Sequence, residues 1–239
     1  MLWNVIMTAL RGGGLDFWNV IVSLLASLLI IFLILPVHEC AHGLTAYALG
    51  DDTAKRQGRL TLNPLSHIDY LGAFLLLLIG FGWANPVPVN PRRMTRIKNE
   101  KAGMAITALA GPVANLLVGF IGCFLWCFFV FAVKQWFLTS ISYQLFYYIQ
   151  IFFANFVQIN IYLALFNLIP IPPLDGSKIL MAFLPDRICT KIYMHQSQIS
   201  LIFFIVLIMG FNILAEPLSA LCNIISNFMI NVASLPFGL

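Results

Sequence analysis

The chain has 239 residues, of which 61% are hydrophobic and only 9% charged, with a formal net charge of +4. A soluble domain carries about 25% charged residues, so this composition, with a mean hydropathy of +0.93, excludes a soluble globular protein and describes an all-α polytopic membrane protein. The basic residues lie in short loops without an aromatic-interleaved polar surface, which excludes nucleic acid as a partner and leaves the lipid bilayer. The length suits a single core domain over 1–239 with no sizeable soluble module.

Residues 2–10 are a short apolar stretch followed by Arg11 and Gly12-Gly13-Gly14, with no basic region before them. That pattern predicts an interfacial segment rather than a signal peptide. Residues 17–50 form the first long apolar run, longer than the roughly 20 residues that cross a bilayer core. Pro36 in this run favours a bend. At its end stands His38-Glu39-Cys40-Ala41-His42, an H-E-x-x-H motif. Histidines four apart share a helix face and can bind one metal ion, and the glutamate between them is placed to act as a general base. Residues 54–63 are expected to hold a short membrane-associated β segment, because Arg59-Leu60-Thr61-Leu62 alternates in the manner of a strand edge. Such an edge would capture an unwound substrate by strand addition.

Residues 71–84 are apolar but too short to span, and their glycines, with Pro86 beyond them, point to a re-entrant or interfacial piece. Residues 102–133 and 145–168 are long enough to cross, and 199–235 reads as a helical hairpin or kinked pair broken near Glu216-Pro217. The expectation is five to six transmembrane or re-entrant segments.

Basic residues cluster at Lys55, Arg56 and Arg59, at Arg92, Arg93, Arg96, Lys98 and Lys101, and at Lys178, Arg187 and Lys191, whereas the loop at 133–143 carries only Lys134. The positive-inside rule places the three clusters on the cytoplasmic side. The first two are consecutive and share a side, which agrees with 71–84 dipping in and returning. His38 and His42 then lie toward the cytoplasmic end of their helix. A catalytic zinc takes three protein ligands, and Asp175, which follows the span ending at Leu168, is expected at the same depth. Pro170, Pro172 and Pro173 predict a stiff extended segment leading to it, and Gly176 a close backbone turn behind it. Two histidines and one carboxylate favour Zn2+, one per chain, over harder ions. The cysteines, Cys40, Cys123, Cys127, Cys189 and Cys222, read as small buried apolar residues. His67 and Asp69 read as loop hydrogen-bonding groups, and His195 as exposed. Asn155, Gln158 and Asn160 read as polar residues bonding between helices.

The H-E-x-x-H at a membrane helix end, with Asn167, Pro170, Pro172, Asp175 and Gly176 in an N-x-x-P-x-P-x-x-D-G pattern after a later helix, resembles the site-2 protease family of intramembrane zinc metalloproteases. The similarity continues through 58–69 (G-R-L-T-L-N-P-L-S-H-I-D), 81–91 (F-G-W-A-N-P-V-P-V-N-P) and Ala110-Gly111-Pro112-Val113-Ala114-Asn115. Tyr70 stands where members often have proline, a departure in a loop. The chain resembles the minimal prokaryotic type, without inserted PDZ or appended CBS domains.

The resemblance implies that His38, His42 and Asp175 hold zinc and that Glu39 is the base. Asn115, read as opening a helix, is the candidate donor to the oxyanion. The expected activity is hydrolysis of transmembrane protein substrates near the cytoplasmic face of a prokaryotic cytoplasmic membrane. A metal transporter would need ionisable groups along a route across the bilayer, and these cluster at one face. An inactive scaffold would have no need of Glu39.

Overall fold

A computed structural model describes residues 21, 25, 28–79, 82–136, 143–209 and 211–238. The expected interfacial segment at 2–10, the start of the first apolar run and most of the 133–143 loop lie outside the described residues. The chain divides into two compact units, Met1–Gly103 and Met104–Leu239.

In the first unit, α1 (Ile30–Ala48) opens with a widened turn, Ile30–Ile34, in which the Leu35 N–H donates to Ile30 O five residues back. Pro36 comes directly after it and has no N–H to give. The irregularity expected at this proline therefore takes the form of a π-type turn within a helix that continues through the motif. A single turn, α2 (Thr53–Arg56), follows. The β segment expected at 54–63 is not formed: 53–56 is helical and 57–63 runs through turns and bends. Four alternating residues are too short a signal to specify a strand, and the Thr61 carbonyl is taken by His67, whose Nε2 donates to it at 2.8 Å.

Helix α3 (Tyr70–Ile79) is held at its start by Asp69, whose Oδ1 accepts from Gly72 N–H at 2.8 Å. Its ten residues rise about 15 Å, half a bilayer core. The chain then comes back to where α3 began: Ala84 forms an antiparallel bridge with Ile68, and Asn85 N–H donates to His67 O at 2.8 Å. This out-and-back path is the one expected for 71–84.

The remaining helices are α4 (Glu100–Trp136), α5 (Tyr143–Asn167), α6 (Asp175–Met181), α7 (Asp186–Met194), α8 (Gln196–Met209) and α9 (Phe211–Ser234). Helix α4 begins in the last residues of the first unit, where Asn99 Oδ1 accepts from the N–H groups of Lys101 and Ala102. It belongs otherwise to the second unit. Pro112 and Pro217 lie inside α4 and α9. The break expected near Glu216-Pro217 is not formed: α9 runs through both residues, with Pro217 inside it.

The core of the second unit is Cys123, Cys127, Val157, Ile161, Cys222, Met229 and Ala233, contributed by α4, α5 and α9. A Cβ on Gly122 would lie 2.7 Å from the Phe156 ring, so glycine is what lets α4 and α5 approach there. All five cysteines are free and buried, as expected. Asn160 bonds within its own helix, to Phe156 O at 2.9 Å, rather than across to a neighbour.

Four helical stretches are long and apolar enough to cross a membrane: Ile30–Ala48, Glu100–Val133, Ile149–Asn167 and Glu216–Phe237. Leu109, Val113, Leu117 and Ile121 form an exposed apolar row at four-residue spacing on α4, a face suited to lipid and not to water. The protein is a multi-pass membrane protein.

Candidate metal centre

His38, Glu39 and His42 occupy consecutive turns of α1 and are 5%, 8% and 7% exposed. The helix sets their relation. One turn of rise brings His38 Nε2 and His42 Nε2 to 3.0 Å, with the two rings edge to face. Two nitrogens that each lie 2.0–2.1 Å from one tetrahedral zinc are separated by about 3.3 Å, so the pair is already near the spacing a shared ion asks for.

Glu39 is buried by the segment that follows α3. Residues 84–90 run without regular structure along this stretch of α1, and Val87 N–H donates to Glu39 Oε2 at 2.8 Å. Gly43, one turn beyond Glu39, makes room for them: a Cβ there would stand 3.0 Å from Leu60 Cδ1 and 3.2 Å from Val87 Cγ1. The segment is tied down at both ends. Arg59 donates to Asn85 O at 2.7 Å and Pro86 O at 3.2 Å. Asn90 N–H donates to Asp51 Oδ2 at 2.6 Å, and Asp51 is 1% exposed. Neither Val87 nor Asp51 was singled out by sequence reasoning. The contacts span 48 and 39 residues, and no local pattern in either segment names its partner.

In the second unit, Asp175 is the first residue of α6 and is 6% exposed. Lys178, one turn on, donates to Asp175 Oδ1 at 3.0 Å. The proline-rich approach is not the extended segment expected. Residues 168–174 form successive turns, in which Ile171 N–H bonds to Ile169 O and Leu174 N–H to Ile171 O, with a cis bond between Pro172 and Pro173. Proline forbids regular helix without forbidding turns. Gly176 is required for the reason expected, a close backbone approach: a Cβ would lie 2.2 Å from Leu168 O and 2.5 Å from Ile169 O.

Asn115 lies in the interior of α4 rather than at a helix opening, because the helix starts at Glu100 and passes through Pro112. It is 1% exposed, and neither its Oδ1 nor its Nδ2 has a hydrogen-bond partner. His67 and Asp69 serve the loop as described above, and His195 is exposed. Each unit thus carries buried side chains of the kinds that bind metal ions: His38 and His42 in the first and Asp175 in the second. Two imidazoles and a carboxylate fit a catalytic zinc, which leaves a position open.

Comparison with known proteins agrees with this chemistry. Residues 26–211 match the model of peptidase family M50. YwhC of Bacillus subtilis (strain 168), whose name proposes a zinc metalloprotease, is 41% identical over 172 residues, 72% of this chain and 75% of that protein. Rip2 of Mycolicibacterium smegmatis (strain ATCC 700084 / mc(2)155), named in the same way, is 30% identical over 148 residues, 59% of this chain and 51% of that protein. No solved structure matches.

Proposed function

The chain belongs to peptidase family M50 and is a membrane-embedded zinc metalloprotease, and on that footing we propose that it is an intramembrane endopeptidase. Its substrates are membrane-anchored proteins, cut near the cytoplasmic face of a prokaryotic cytoplasmic membrane, and residues 1–239 act as one metalloprotease core. The observation that carries the reading is the buried triplet on α1: two imidazole nitrogens 3.0 Å apart with a carboxylate between them in sequence. A structural metal site would not require Glu39.

In this reading His38, His42 and Asp175 hold the zinc. When bound, zinc lowers the pKa of a coordinated water to about 7 and polarises the scissile carbonyl. Glu39 takes the proton from the attacking water and returns it to the leaving amine. The helix fixes Glu39 beside the ligand pair, and the 84–90 segment buries it, so the proton is exchanged away from bulk solvent. Asn115 donates its amide N–H to the oxyanion that develops on the substrate carbonyl. Its buried amide, without a partner of its own, supports that role, because an unpaired buried amide is unfavourable unless something else gains from it. The cytoplasmic assignment rests on the basic clusters at 55–59, 92–101 and 178–191.

The test is cleavage of a tagged transmembrane substrate by the purified protein in detergent. Glu39→Gln abolishes cleavage while metal analysis still finds about one zinc per chain. Cleavage by Glu39→Gln at the wild-type rate overturns the mechanism.

A further inference from the structure

We infer that the 85–90 segment is a positioning strap for the general base, acting through the Val87 N–H. This rests on the reading of Glu39 as that base. The sequence Asn85-Pro86-Val87-Pro88-Val89-Asn90-Pro91 has prolines at three of its seven positions. Each proline fixes φ and removes a donor, so the strap is stiff and Val87 is the single N–H between Asn85 and Val89. That one donor is the group bonded to Glu39 Oε2, at 2.8 Å. The strap is also held at two other backbone donors: Asn85 N–H bonds to His67 O at 2.8 Å, and Asn90 N–H to Asp51 Oδ2 at 2.6 Å. With Arg59 on two of its carbonyls, the strap cannot slide along α1 without breaking several bonds together.

A backbone amide suits this task better than a charged side chain. Lysine or arginine would bring a long, flexible side chain that must itself be held in place. An amide N–H donates a charge-assisted bond and does not titrate in the working range. It holds Oε2 and leaves Oε1 as the oxygen that exchanges the proton. Burial then keeps the side chain in that rotamer, and the base enters each turnover already oriented.

The first test is hydrogen exchange on the zinc-loaded full chain. A peptide covering 85–88 reports one amide, because prolines 86 and 88 have none and the label at its first residue is lost. In Glu39→Ala this amide exchanges at least about tenfold faster, with the amides of α3 unchanged. Equal exchange in the two proteins overturns the proposal. The second test is kinetic, with the tagged transmembrane substrate. Val87→Pro removes the donor and lowers kcat at least about tenfold, with KM within about twofold and zinc content unchanged, whereas Val87→Ala keeps the donor and behaves as wild type. A rise in KM at constant kcat would make the strap a substrate-binding edge and overturn the positioning role. So would loss of zinc from a folded Val87→Pro protein, which would make the strap a support of the metal site. If Val87→Pro does not fold, the exchange experiment decides alone. That experiment does not depend on cleavage, so it stands apart from the fate of Glu39→Gln.

Discussion

The two units of this chain are held together by different kinds of bond. Between α1 and α4 the first unit contains short elements joined by polar bonds that reach far along the sequence: Val87 to Glu39, Asn90 to Asp51, Arg59 to Asn85 and Arg96 to Ala48. In the second unit the side-chain hydrogen bonds are mostly local, three or four residues back along one helix, as in Asn160 to Phe156, Asn167 to Leu163 and Ser226 to Asn223. There the joins are apolar packing among α4, α5 and α9. Directional bonds fix where an atom points, whereas packing fixes how closely two helices lie. Changes in the first unit should therefore appear mainly in metal content and catalysis, and changes in the second mainly in stability.

The largest effect should come from His42→Ala, which reduces bound zinc to less than about one tenth and removes cleavage. Metal analysis checks this, with His67→Ala as the contrast: His67 bonds the Thr61 carbonyl, and its variant keeps its zinc. Asn115→Ala breaks the comparison, because it lies in the packing unit and yet should act on chemistry. It lowers kcat by about 100- to 1000-fold. Its thermal stability stays level or rises, since an unpaired buried amide costs about 1–3 kcal/mol. A fall in stability with unchanged kcat would return Asn115 to helix packing. Gly122→Leu sharpens the comparison from the other side. It drives a side chain into Phe156 and destabilises the second unit by about 1–3 kcal/mol, read by denaturation in detergent, with kcat per folded molecule unaltered. The smallest effect should come from Arg56→Ala. Arg56 meets Asp52 at 2.5 Å in an exposed i,i+4 pair, and its removal leaves the melting temperature and the cleavage rate unchanged within error.

What the sequence disclosed divides along the same line. The H-E-x-x-H was legible because helical periodicity turns a spacing of four into a distance, and the spans were legible because bilayer thickness turns apolar length into a crossing. Asp175 stood out through charge topology and family pattern, yet its approach was misread. Three prolines in four positions looked extended and are in fact folded into turns. Asn115 was placed at a helix start because Pro112 suggested one, while the signal that marks the true start, Asn99 just before Glu100, was passed over. The β edge at 59–62 was four residues of alternation, too short to specify a strand. The bond from Val87 to Glu39 could not be read at all. Nothing local in either segment names the other, and only the folded chain brings them within 2.8 Å.

The widened turn at Ile30–Ile34 has a consequence for how this helix can vary. Each residue of an α-helix turns the next by about 100°, and a π-type turn winds one extra residue into the same rise. Residues before it are thus rotated by roughly that angle relative to an unbroken helix. The turn acts as a phase adjuster: a residue gained or lost there re-aims the part of the helix that precedes it. The interval of four that sets the two imidazoles together lies beyond the turn and is left untouched.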